Sequence, residues 1–427
     1  MIKIYDSGVL PLEQILAREE DRTDVAAATA EIVAAVRRDG DEALRYYAKK
    51  FDRTDLGEIE VPQETLERAA ASLDPALRAI LEEAAENIRD FHRRQVRNSF
   101  VISERDGVVL GQKVTPIDRV GLYVPGGTAA YPSTVLMDSI PAKIAGCGQV
   151  VMISPPSKDG EIAPVILAAA KIAGIDRVFR SGGAQAIAAL AYGTETVPQV
   201  DKIVGPGNAF VAEAKRQVFG QVAIDMIAGP SEILVVADGN SDPDHVAADL
   251  LSQAEHDVNA SAVLITDSAP LAQAVSAALE RQLQALPRRE IAGASIERNG
   301  KIILTRDIPQ AIDIANALAP EHLELCVDSP FDYLDRVRHA GSIFLGRFCP
   351  EALGDYFAGP NHTLPTSGTA RFSNPLSVDD FVKKSQFTYY TAAALERVSD
   401  KIARFAREEG LEGHARSVLS RCKKEES

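Results

Sequence analysis

The first hundred residues carry hydrophobic side chains at helical spacing. From Thr23 onward, apolar residues such as Ile32 and Val36 recur at intervals of three or four, which predicts an amphipathic helix. A second helix is predicted to begin near Pro75, because proline suits the first turn of a helix. Residues 101–116 then place an Asp-Gly pair between two β-rich runs, which predicts a hairpin.

After residue 117 the pattern changes to short apolar runs separated by helical segments of about ten to fifteen residues. One series extends from RVGLYVPG to QVAIDM, and a second extends from EILVVAD to HLELCVD. Such alternation is typical of βαβ units, so the chain is predicted to have an α/β fold with two parallel-sheet lobes. From Ser377 the sequence is polar and charge-rich, which predicts a helical arm that packs on its own core or reaches a partner subunit.

Composition narrows the classes of protein that remain. The length of 427 residues predicts two or more domains, and 61 acidic side chains against 46 basic ones give a net charge of −15. That charge repels phosphate backbones, so nucleic acid is not an expected partner. We expect neither a signal peptide nor a membrane span, because no apolar stretch reaches ~18 residues. Scattered cysteines favour a reducing cytoplasm over a disulfide framework; they are Cys147, Cys326, Cys349 and Cys422.

A glutamine and a histidine three residues apart form the first candidate site. Gln253 and His256 in SQAEHD would share one face of a helix. An imidazole nitrogen together with an amide oxygen could bind zinc. The spacing alone favours a different interpretation, the polar face of a surface helix, because this pair is a far weaker pattern than HExxH.

Two further stretches bring ionisable side chains close together. Glu321 and His322 in APEHLE could supply two proton acceptors to one site, although an acid at a helix start beside a solvated histidine fits equally well. Asp355 and His362 lie in GDYFAGPNHTLP, which is predicted to be a long, structured loop of the kind that often holds sites. A simple connecting loop is the alternative.

Glycine-rich turns follow several predicted strands, in GLYVPGG, SGGAQAI, GPGNAF and AGPSE. Turns at strand ends are where α/β sheets bind ligands. The GxGxxG fingerprint of dinucleotide-binding folds does not occur in the sequence, so these glycines alone indicate no cofactor. The residues by themselves therefore predict a two-lobed α/β protein with a candidate metal site, and they do not define a reaction.

Several long motifs together resemble one known family. RSGGAQAIAALAYGT, DKIVGPGN, IDMIAGPSEILVVAD, DLLSQAEHD, APEHLEL and GDYFAGPNHTLPT occur along the chain in the order typical of histidinol dehydrogenases. The similarity extends over essentially the whole chain, including EEGLEGHARS near its end. The stretch GDYFAGPNH departs from the family's frequent GDYASGTNH at Phe357 and Pro360, which changes the shape of the segment but leaves Asp355 and His362 in place.

The resemblance implies a zinc-dependent, NAD-linked oxidation of L-histidinol through bound L-histidinal to L-histidine, the last step of histidine biosynthesis. In this interpretation His322 is the base for the alcohol proton, and Glu321 activates water on the aldehyde. The implied ligands of one Zn²⁺ per subunit are Gln253, His256, Asp355 and His414. The implied substrate contacts are Ser231, Gln253, His256, His322, Asp355, Glu409 and His414. The implied NAD contacts are Tyr123, Gln185 and Asn208.

The resemblance also implies how the chain is divided. Two Rossmann-like lobes with degenerate nucleotide motifs are expected, with helical extensions at both ends. An N-terminal arm is expected at 1–20 and a helical arm at 376–427. The first lobe, 21–122 and 233–375, is expected to contain the N-terminal helices, the zinc ligands and the catalytic residues. The second lobe, 123–232, is expected to be inserted into the first and to contain the NAD contacts. The family forms intertwined homodimers, so this arm is expected to place His414 in the partner's site.

Two alternatives remain open. A related enzyme of the same family could oxidise another small diol or amino alcohol, and a sulfonated substrate would call for cationic or backbone donors in place of Glu409. A non-catalytic, two-lobed ligand-binding protein is the alternative from a different class. NADH formation on addition of histidinol distinguishes these readings. Neither nucleic acid nor a membrane is an expected partner.

Overall fold

The computed structural model of the protein describes residues 2–16, 24–126 and 130–422. The chain divides into two units. The larger unit comprises Met1–Gln95 and Ile117–Phe381, and the smaller unit comprises Val96–Pro116 and Val382–Ser427. Among the described residues, no helix combines the length and the apolar character that crossing a bilayer requires.

Strands and helices alternate along most of the described chain. In chain order the strands are β1 (Lys3–Asp6), β2 (Glu60–Val61), β3 (Phe100–Ile102), β4 (Val108–Pro116), β5 (Arg119–Tyr123), β6 (Gln149–Ser154), β7 (Arg177–Arg180), β8 (Lys202–Val204), β9 (Ala223–Ile224), β10 (Glu232–Ala237), β11 (Ser261–Thr266), β12 (Lys301–Leu304), β13 (His322–Cys326), β14 (Ser342–Leu345) and β15 (Val382–Tyr390). The α-helices are α1 (Leu12–Leu16), α2 (Ala26–Asp39), α3 (Asp41–Tyr47), α4 (Gln63–Ser72), α5 (Pro75–His92), α6 (Pro132–Ala145), α7 (Pro164–Ala173), α8 (Gly183–Tyr192), α9 (Ala209–Val218), α10 (Pro243–Ala254), α11 (Ala269–Leu283), α12 (Arg289–Arg298), α13 (Ile308–Leu318), α14 (Phe331–Leu334), α15 (Glu351–Leu353), α16 (Ala392–Glu408) and α17 (Glu412–Leu419). The helix predicted from Thr23 is α2, although Thr23 itself lies outside the described residues, and the helix predicted near Pro75 is α5.

The first six-stranded sheet is entirely parallel, in the order β1-β12-β11-β10-β13-β14. Its central strands have apolar sequences, EILVVA in β10 and SAVLIT in β11, because helices cover both faces. Helices α10, α11 and α12 pack on one face through residues such as Leu250 and Val275. Helices α1 and α13 pack on the other face through Ile15 and Ile312.

The second six-stranded sheet has the order β2-β7-β6-β5-β8-β9, and only its edge strand β2 is antiparallel. One face carries α4 to α7, with Ile88 of α5 and Met137 of α6 buried against it. The other face carries α2, α3, α8 and α9, with Val36 of α2 and Leu44 of α3 buried there. The two helix-covered sheets confirm the predicted α/β class with two lobes.

The division of the chain between the lobes differs from the predicted one. The predicted first lobe includes residues 21–122, but helices α2 to α5 and strands β2 and β5 belong to the second sheet. The predicted N-terminal arm, residues 1–20, contributes β1 as an edge strand of the first sheet, paired with β12. Periodicity shows that a helix has a face to bury, but it does not show which sheet that face covers.

The smaller unit contains an antiparallel sheet in the order β15-β4-β3 and the helices α16 and α17. The predicted hairpin is confirmed, and Gly107 at its turn has a φ of 73°. The predicted helical arm, 376–427, begins with a 3₁₀ turn at Val378–Phe381 and then the strand β15, whose sequence VKKSQFTYY is mostly exposed. Its α-helices follow only after that strand, and residues 423–427 lie outside the described part of the chain. The lysines and polar residues of β15 resemble a solvated helix, and only pairing with β4 makes the segment a strand.

The predicted site residues lie at opposite edges of the two six-stranded sheets of the larger unit. Tyr123 ends β5 and Gly205 follows β8, so the second sheet uses its carboxyl edge, where α/β sheets usually bind ligands. Glu232 and His322 instead begin β10 and β13, so the first sheet uses its amino edge. These two strands are neighbours, with Ile233 opposite His322, so their first residues lie side by side.

The turn after β8 supports a stability prediction. Gly205 has a φ of 113°, and a Cβ there would lie 2.1 Å from the carbonyl oxygen of Tyr123. Gly220 has a φ of 98°, but a Cβ there would meet nothing within 4 Å. In Gly220→Ala the free energy of unfolding should therefore fall only by the cost of backbone strain, about 1–3 kcal/mol. In Gly205→Ala it should fall clearly more, because the steric clash adds to the strain. Urea unfolding of both variants measures the difference, and equal losses would contradict the close approach at Gly205.

Candidate active site

The start of β13 is hydrogen-bonded to the start of β10 in both directions. The Glu321 carboxylate accepts a hydrogen bond from the backbone N–H of Glu232 at 2.8 Å, and the backbone N–H of Glu321 donates to the Glu232 carboxylate at 3.3 Å. The Glu232 carboxylate also accepts from the backbone N–H of Ser367 at 2.9 Å. Both glutamates are buried, so these donors supply the partners that buried carboxylates require.

The ring of His322 is held in one orientation by a hydrogen bond to β10. His322 is buried and begins β13, so the alternative of a solvated histidine near a helix start is wrong. Its Nδ1 lies 2.9 Å from the carbonyl oxygen of Glu232, and because a carbonyl only accepts, we assign the hydrogen to Nδ1. The other nitrogen, Nε2, lies 3.5 Å from Oδ1 of Asp355 and is the one available for chemistry.

A short helical segment brings further ionisable groups to His322. Helix α15 continues as a π-helical turn over Gly354–Ala358, so the first part of the predicted long loop is helical. Oε1 of Glu351, in α15, lies 4.0 Å from Nε2 of His322. Beyond the turn, Nδ1 of His362 lies 3.9 Å from Oδ1 of Asp355. Asp355 and His362, which the sequence places in one segment, therefore also lie close together in the fold, and His322 lies beside Asp355.

The charges of this cluster depend on one another. Burial by itself lowers the pKa of the His322 imidazole, but the Glu321 and Asp355 carboxylates outweigh it and raise that pKa well above its usual value. Burial also opposes ionisation of Asp355, yet pairing with His322 and the charge of His362 hold the pKa of that carboxyl below its usual range. Burial and the neighbouring Asp355 raise the pKa of Glu351 to about 8. The cluster thus concentrates acidic groups in a place with little water.

Helix α10 contributes a buried amide beside this cluster. Oγ of Ser252 donates to Oε2 of Glu351 at 3.1 Å. The next residue, Gln253, is 1% exposed, and neither polar atom of its side chain has a partner within the described part of the chain. The interpretation of this pair as the polar face of a surface helix is therefore wrong for Gln253. His256 follows the end of α10 with an exposed side chain, although desolvation by its surroundings lowers its pKa.

The residues present fit a divalent cation. Candidate ligand atoms of His322, Glu351 and Asp355 lie within 4.8 Å of one another. Imidazole nitrogen and carboxylate oxygen are ordinary zinc ligands. Nε2 of His322, Oδ1 of Asp355 and the amide of Gln253 are also buried without hydrogen-bond partners among the described residues, which is the condition that a ligand relieves. This geometry shares Asp355 with the predicted ligand set and adds His322 and Glu351.

The predicted nucleotide contacts lie along the carboxyl edge of the second sheet. The hydroxyl of Tyr123 accepts from the backbone N–H of Gly183 at 3.1 Å, and burial raises the pKa of Tyr123 to about 12. Gln185 is buried nearby, and its Oε1 has no partner among the described residues. Asn208 caps α9 by accepting from two backbone N–H groups and is exposed. The structure therefore places these three side chains on the edge where ligand binding is expected.

The remaining predicted residues are placed as follows. Ser231 is half-buried just before β10, and its carbonyl oxygen accepts from the backbone N–H of Ser261 at 3.0 Å. Glu409 and His414 belong to the smaller unit, at the end of α16 and in α17, and both are exposed. Their roles in binding substrate or metal stay predictions.

Two acids of the cluster were not identified from the sequence. Glu232 begins a strand whose other residues are apolar, and an acid at the head of a buried strand is a signal that could have revealed it. Glu351 lies four residues before Asp355, which places both on one side of a helical segment. Glu351 is further anchored because its backbone N–H donates to the buried Glu324 carboxylate at 2.8 Å.

Two helix-covered sheets, the first carrying a buried acid–base pair beside a metal-fitting cluster at its amino edge, indicate a two-lobed α/β enzyme. The histidinol dehydrogenase family model matches residues 16–422. A histidinol dehydrogenase of Geobacillus kaustophilus (strain HTA426) is 57% identical, covering 93% of this chain and 94% of that protein. One from Lactiplantibacillus plantarum is 53% identical, covering 98% and 99%. The crystal structure of histidinol dehydrogenase from Elizabethkingia anophelis has a TM-score of 0.94 at 38% identity and covers 98% of each chain.

The chain therefore belongs to the histidinol dehydrogenase family. It is an enzyme of the oxidoreductase class, as its motifs predict. This membership contradicts the alternative of a non-catalytic ligand-binding protein.

The double role of Glu232 supports a prediction about stability. Glu232→Gln keeps one accepting oxygen but turns an NH₂ group toward one of the two backbone donors, at Glu321 or Ser367. Leaving a buried group unsatisfied costs about 1–3 kcal/mol, so the free energy of unfolding should fall by that amount. Glu290→Gln, at an exposed position, removes the same charge without a buried bond and serves as the control. If urea unfolding finds both variants equally stable, the two hydrogen bonds that the Glu232 carboxylate accepts do not stabilise the fold.

Proposed function

We propose that this enzyme catalyses the zinc-dependent, NAD-linked, four-electron oxidation of L-histidinol through L-histidinal to L-histidine, the last step of histidine biosynthesis. The observation that carries the proposal is the buried ring of His322, whose Nδ1 is occupied by Glu232 and whose Nε2 faces the carboxylate cluster. The substrate class is supported by the relatives named histidinol dehydrogenase at 57% and 53% identity.

The acidic character of the site supports an amino alcohol as substrate. L-Histidinol carries an amine and an imidazole, which are cations or nitrogen ligands depending on pH. The site presents the carboxyl groups of Glu321, Glu351 and Asp355 to such a molecule. A sulfonated diol would be repelled by the same groups, so this observation favours histidinol over that alternative. Exposed Glu409 is proposed to contact the ammonium or imidazole group.

The acid–base roles follow from which atoms are already bonded. The unprotonated form of His322 is proposed to take the proton of the substrate alcohol at Nε2 as a hydride leaves, because Nδ1 is engaged with Glu232 and the raised pKa makes the ring a strong base. Oε2 of Glu321 lies 3.5 Å from Nδ1 of His322, so this carboxylate belongs to the same site. It is proposed to activate the water that adds to the aldehyde, which gives a hydrate able to lose the second hydride. Ser231, just before β10, is proposed to contact the substrate.

The cofactors are assigned to two groups of residues. One Zn²⁺ per subunit is proposed to be held by Gln253, His256 and Asp355 together with His414 of the partner subunit; the unpartnered Gln253 amide supports this set. Zinc would supply Lewis-acid orientation of the substrate's nitrogen and oxygen atoms. NAD, the hydride acceptor, is proposed to lie along Tyr123, Gln185 and Asn208, where the second sheet offers its carboxyl edge.

A homodimer with exchanged C-terminal arms is part of the proposal. The smaller unit exposes several large apolar side chains, and clustered exposure of this kind marks interaction surfaces. They are Phe100, Val101, Phe387, Tyr389 and Phe405. A cytoplasmic location is also proposed, since all four cysteines are unpaired thiols.

The proposal is tested by adding L-histidinol and NAD to the purified enzyme. Two NADH should form for each histidine, and a chelated, metal-free preparation should be inactive.

His322→Asn should slow the oxidation of both histidinol and histidinal by about 10²–10⁴-fold, because each step needs a base. Glu321→Gln should slow the histidinal step more than the histidinol step.

Three outcomes of that assay would contradict parts of the proposal. No NADH with histidinol, but NADH with another amino alcohol or diol, would assign a different substrate. Full turnover without metal would remove the zinc role. Equal damage to both steps in Glu321→Gln would reject the division of labour between Glu321 and His322.

The exchanged arm gives a separate prediction. His256→Ala and His414→Ala should each be inactive, and unfolding, mixing and refolding them together should restore roughly a quarter of wild-type activity. Half of the dimers would be mixed, and one of the two sites in each mixed dimer would be complete. Refolding either variant alone is the control. No recovery from the mixture would place His414 in its own subunit's site or outside any site, and would leave the dehydrogenase assignment unaffected.

A further inference from the structure

A proline inside helix α6 frees a backbone acceptor in the buried centre of the larger unit. Pro141 has no N–H, so the carbonyl oxygen of Met137, four residues earlier, receives no helical hydrogen bond from it. The side-chain amide of Asn361 donates to this oxygen at 2.6 Å. Met137 and Asn361 are both buried, so this bond replaces the missing helical one in a place where a carbonyl needs a partner.

The next residue of α6 receives a second bond from the same segment. The hydroxyl of Thr363 donates to Oδ1 of Asp138 at 2.6 Å. Asp138 is fully buried, and burial raises its pKa to about 7. Oδ1 of Asn361 also accepts from the backbone N–H of Thr363 at 2.8 Å, so the two residues form one turn with two attachments to α6. We call Asn361 and Thr363 the α6 clamp.

Asp138 also borders the glycine turn after β8. A Cβ on Gly205 would lie 3.2 Å from Oδ2 of Asp138, so the carboxylate packs against this turn. The turn is itself held by a buried ion pair: Gly205 accepts from Nζ of Lys215 at 2.6 Å and donates to Asp225 at 2.8 Å. Nζ of Lys215 lies 2.6 Å from Oδ1 of Asp225. Asp138 is thus a buried junction between the turn that leads to the proposed NAD contact Asn208 and the α6 clamp.

The two residues of the α6 clamp flank His362 and follow Asp355 in the sequence. Asn361 precedes His362, and Asp355 lies six residues before Asn361. Between them Gly359 has a φ of 109°, a conformation that other residues rarely adopt. On its other side the segment is attached to the first sheet, where the backbone N–H of Ser367 donates to Glu232. The clamp is one of two attachments of the segment to helices that cover the second sheet; in the other, the side-chain amide of Asn87 in α5 donates to the carbonyl oxygen of Phe357 at 2.9 Å.

We propose that Asn361 and Thr363 are positioning residues, which hold Asp355 and His362 at a set distance from the turn at Gly205 by clamping their segment onto Met137 and Asp138 of α6. This deepens the proposed function and rests on it for the catalytic readout. A hydride crosses between substrate and nucleotide only when the two are held within contact distance. A misplacement of about 1 Å costs on the order of 10²-fold in rate.

The first test uses Thr363 variants. Thr363→Val removes the hydroxyl at nearly constant shape, and it should lower kcat for histidinol by about 10- to 100-fold while NAD affinity, measured by direct titration, changes less than twofold. Thr363→Ser keeps the donor and should retain most of the activity. Thr196→Val is the matched control, because the Thr196 hydroxyl donates to Asp41 at the same 2.6 Å. Thr196 lies beyond the C-terminal end of α8, whose 10 residues span about 15 Å from Gly183 at its start, so its variant should lose stability but keep kcat.

A second variant separates positioning from simple stability. Thr363→Val leaves the buried Asp138 without a donor, so it should lower the melting temperature. Adding Asp138→Leu replaces both partners with apolar groups, which is often nearly neutral and should restore much of that temperature. If the clamp positions the segment, kcat of the double variant stays low although its stability recovers. Recovery of kcat together with stability would overturn the proposal.

A readout independent of activity completes the test. In hydrogen exchange, amides of residues 351–366 should exchange faster in Thr363→Val than in the wild type, and Thr363→Ser should not differ. Unchanged exchange together with unchanged kcat in Thr363→Val would also overturn the clamp. If the wild-type enzyme fails to oxidise histidinol, the proposed function fails, and the exchange result still decides whether the clamp exists.

Discussion

The hydrogen bonds between the first residues of β10 and β13 are the constraint on which the rest of the site depends. The register that sets Ile233 opposite His322 lets Glu232 bond with Glu321 in both directions and lets its carbonyl occupy Nδ1 of His322. A slip of one residue would send every side chain of β13 to the other face of the sheet. The direction in which Nε2 of His322 points is therefore a property of the sheet rather than of a mobile loop.

The arrangement of the site is costly in folding free energy. Several acids are buried around one histidine, and a buried charge is costly unless it has partners. The structure supplies backbone donors for Glu321, Glu232 and Glu324, from three different segments. Nε2 of His322, Oδ1 of Asp355 and the amide of Gln253 lack such partners among the described residues. Buried polar atoms without partners also occur elsewhere among the described residues, as at Gln185 and Ser261, but those of His322 and Asp355 lie 3.5 Å apart, as a binding site for a metal and a polar substrate requires.

The first sheet departs from the general rule for α/β folds in the edge that it uses. Its carboxyl edge carries the starts of α10, α11 and α13, whose N–H groups would attract anions. These helix starts are capped by side chains of the chain itself, from Asp242, Ser268 and Asp307. At the carboxyl edge of the second sheet, Asn208 also caps a helix start, that of α9, and Tyr123 and the turn at Gly205 lie beside it. One sheet thus contributes acid–base groups at strand starts, and the other contributes turns at strand ends.

Local sequence was sufficient for the features that depend on local chemistry. Apolar runs such as EILVVA predicted buried parallel strands, Pro75 marked a helix start, and the Asp-Gly pair marked the hairpin at Gly107. The ordered motifs predicted the family and brought Glu321, His322, Asp355 and Gln253 forward as candidates. The predictions of fold class and family are confirmed, because hydrophobic period, turn chemistry and long motifs are properties of consecutive residues.

Tertiary structure alone decided which segments meet. Helices α2 to α5 cover the second sheet rather than the first, since an amphipathic face is apolar whichever sheet it packs on. Segment 382–390 is a strand because β4 pairs with it. Glu232 contacts His322 across 90 residues of sequence, Glu351 approaches it across 29, and Asn361 binds the carbonyl freed by Pro141 across 224. No local pattern encodes such partners, because they exist only once the chain has folded and burial obliges each polar group to find another.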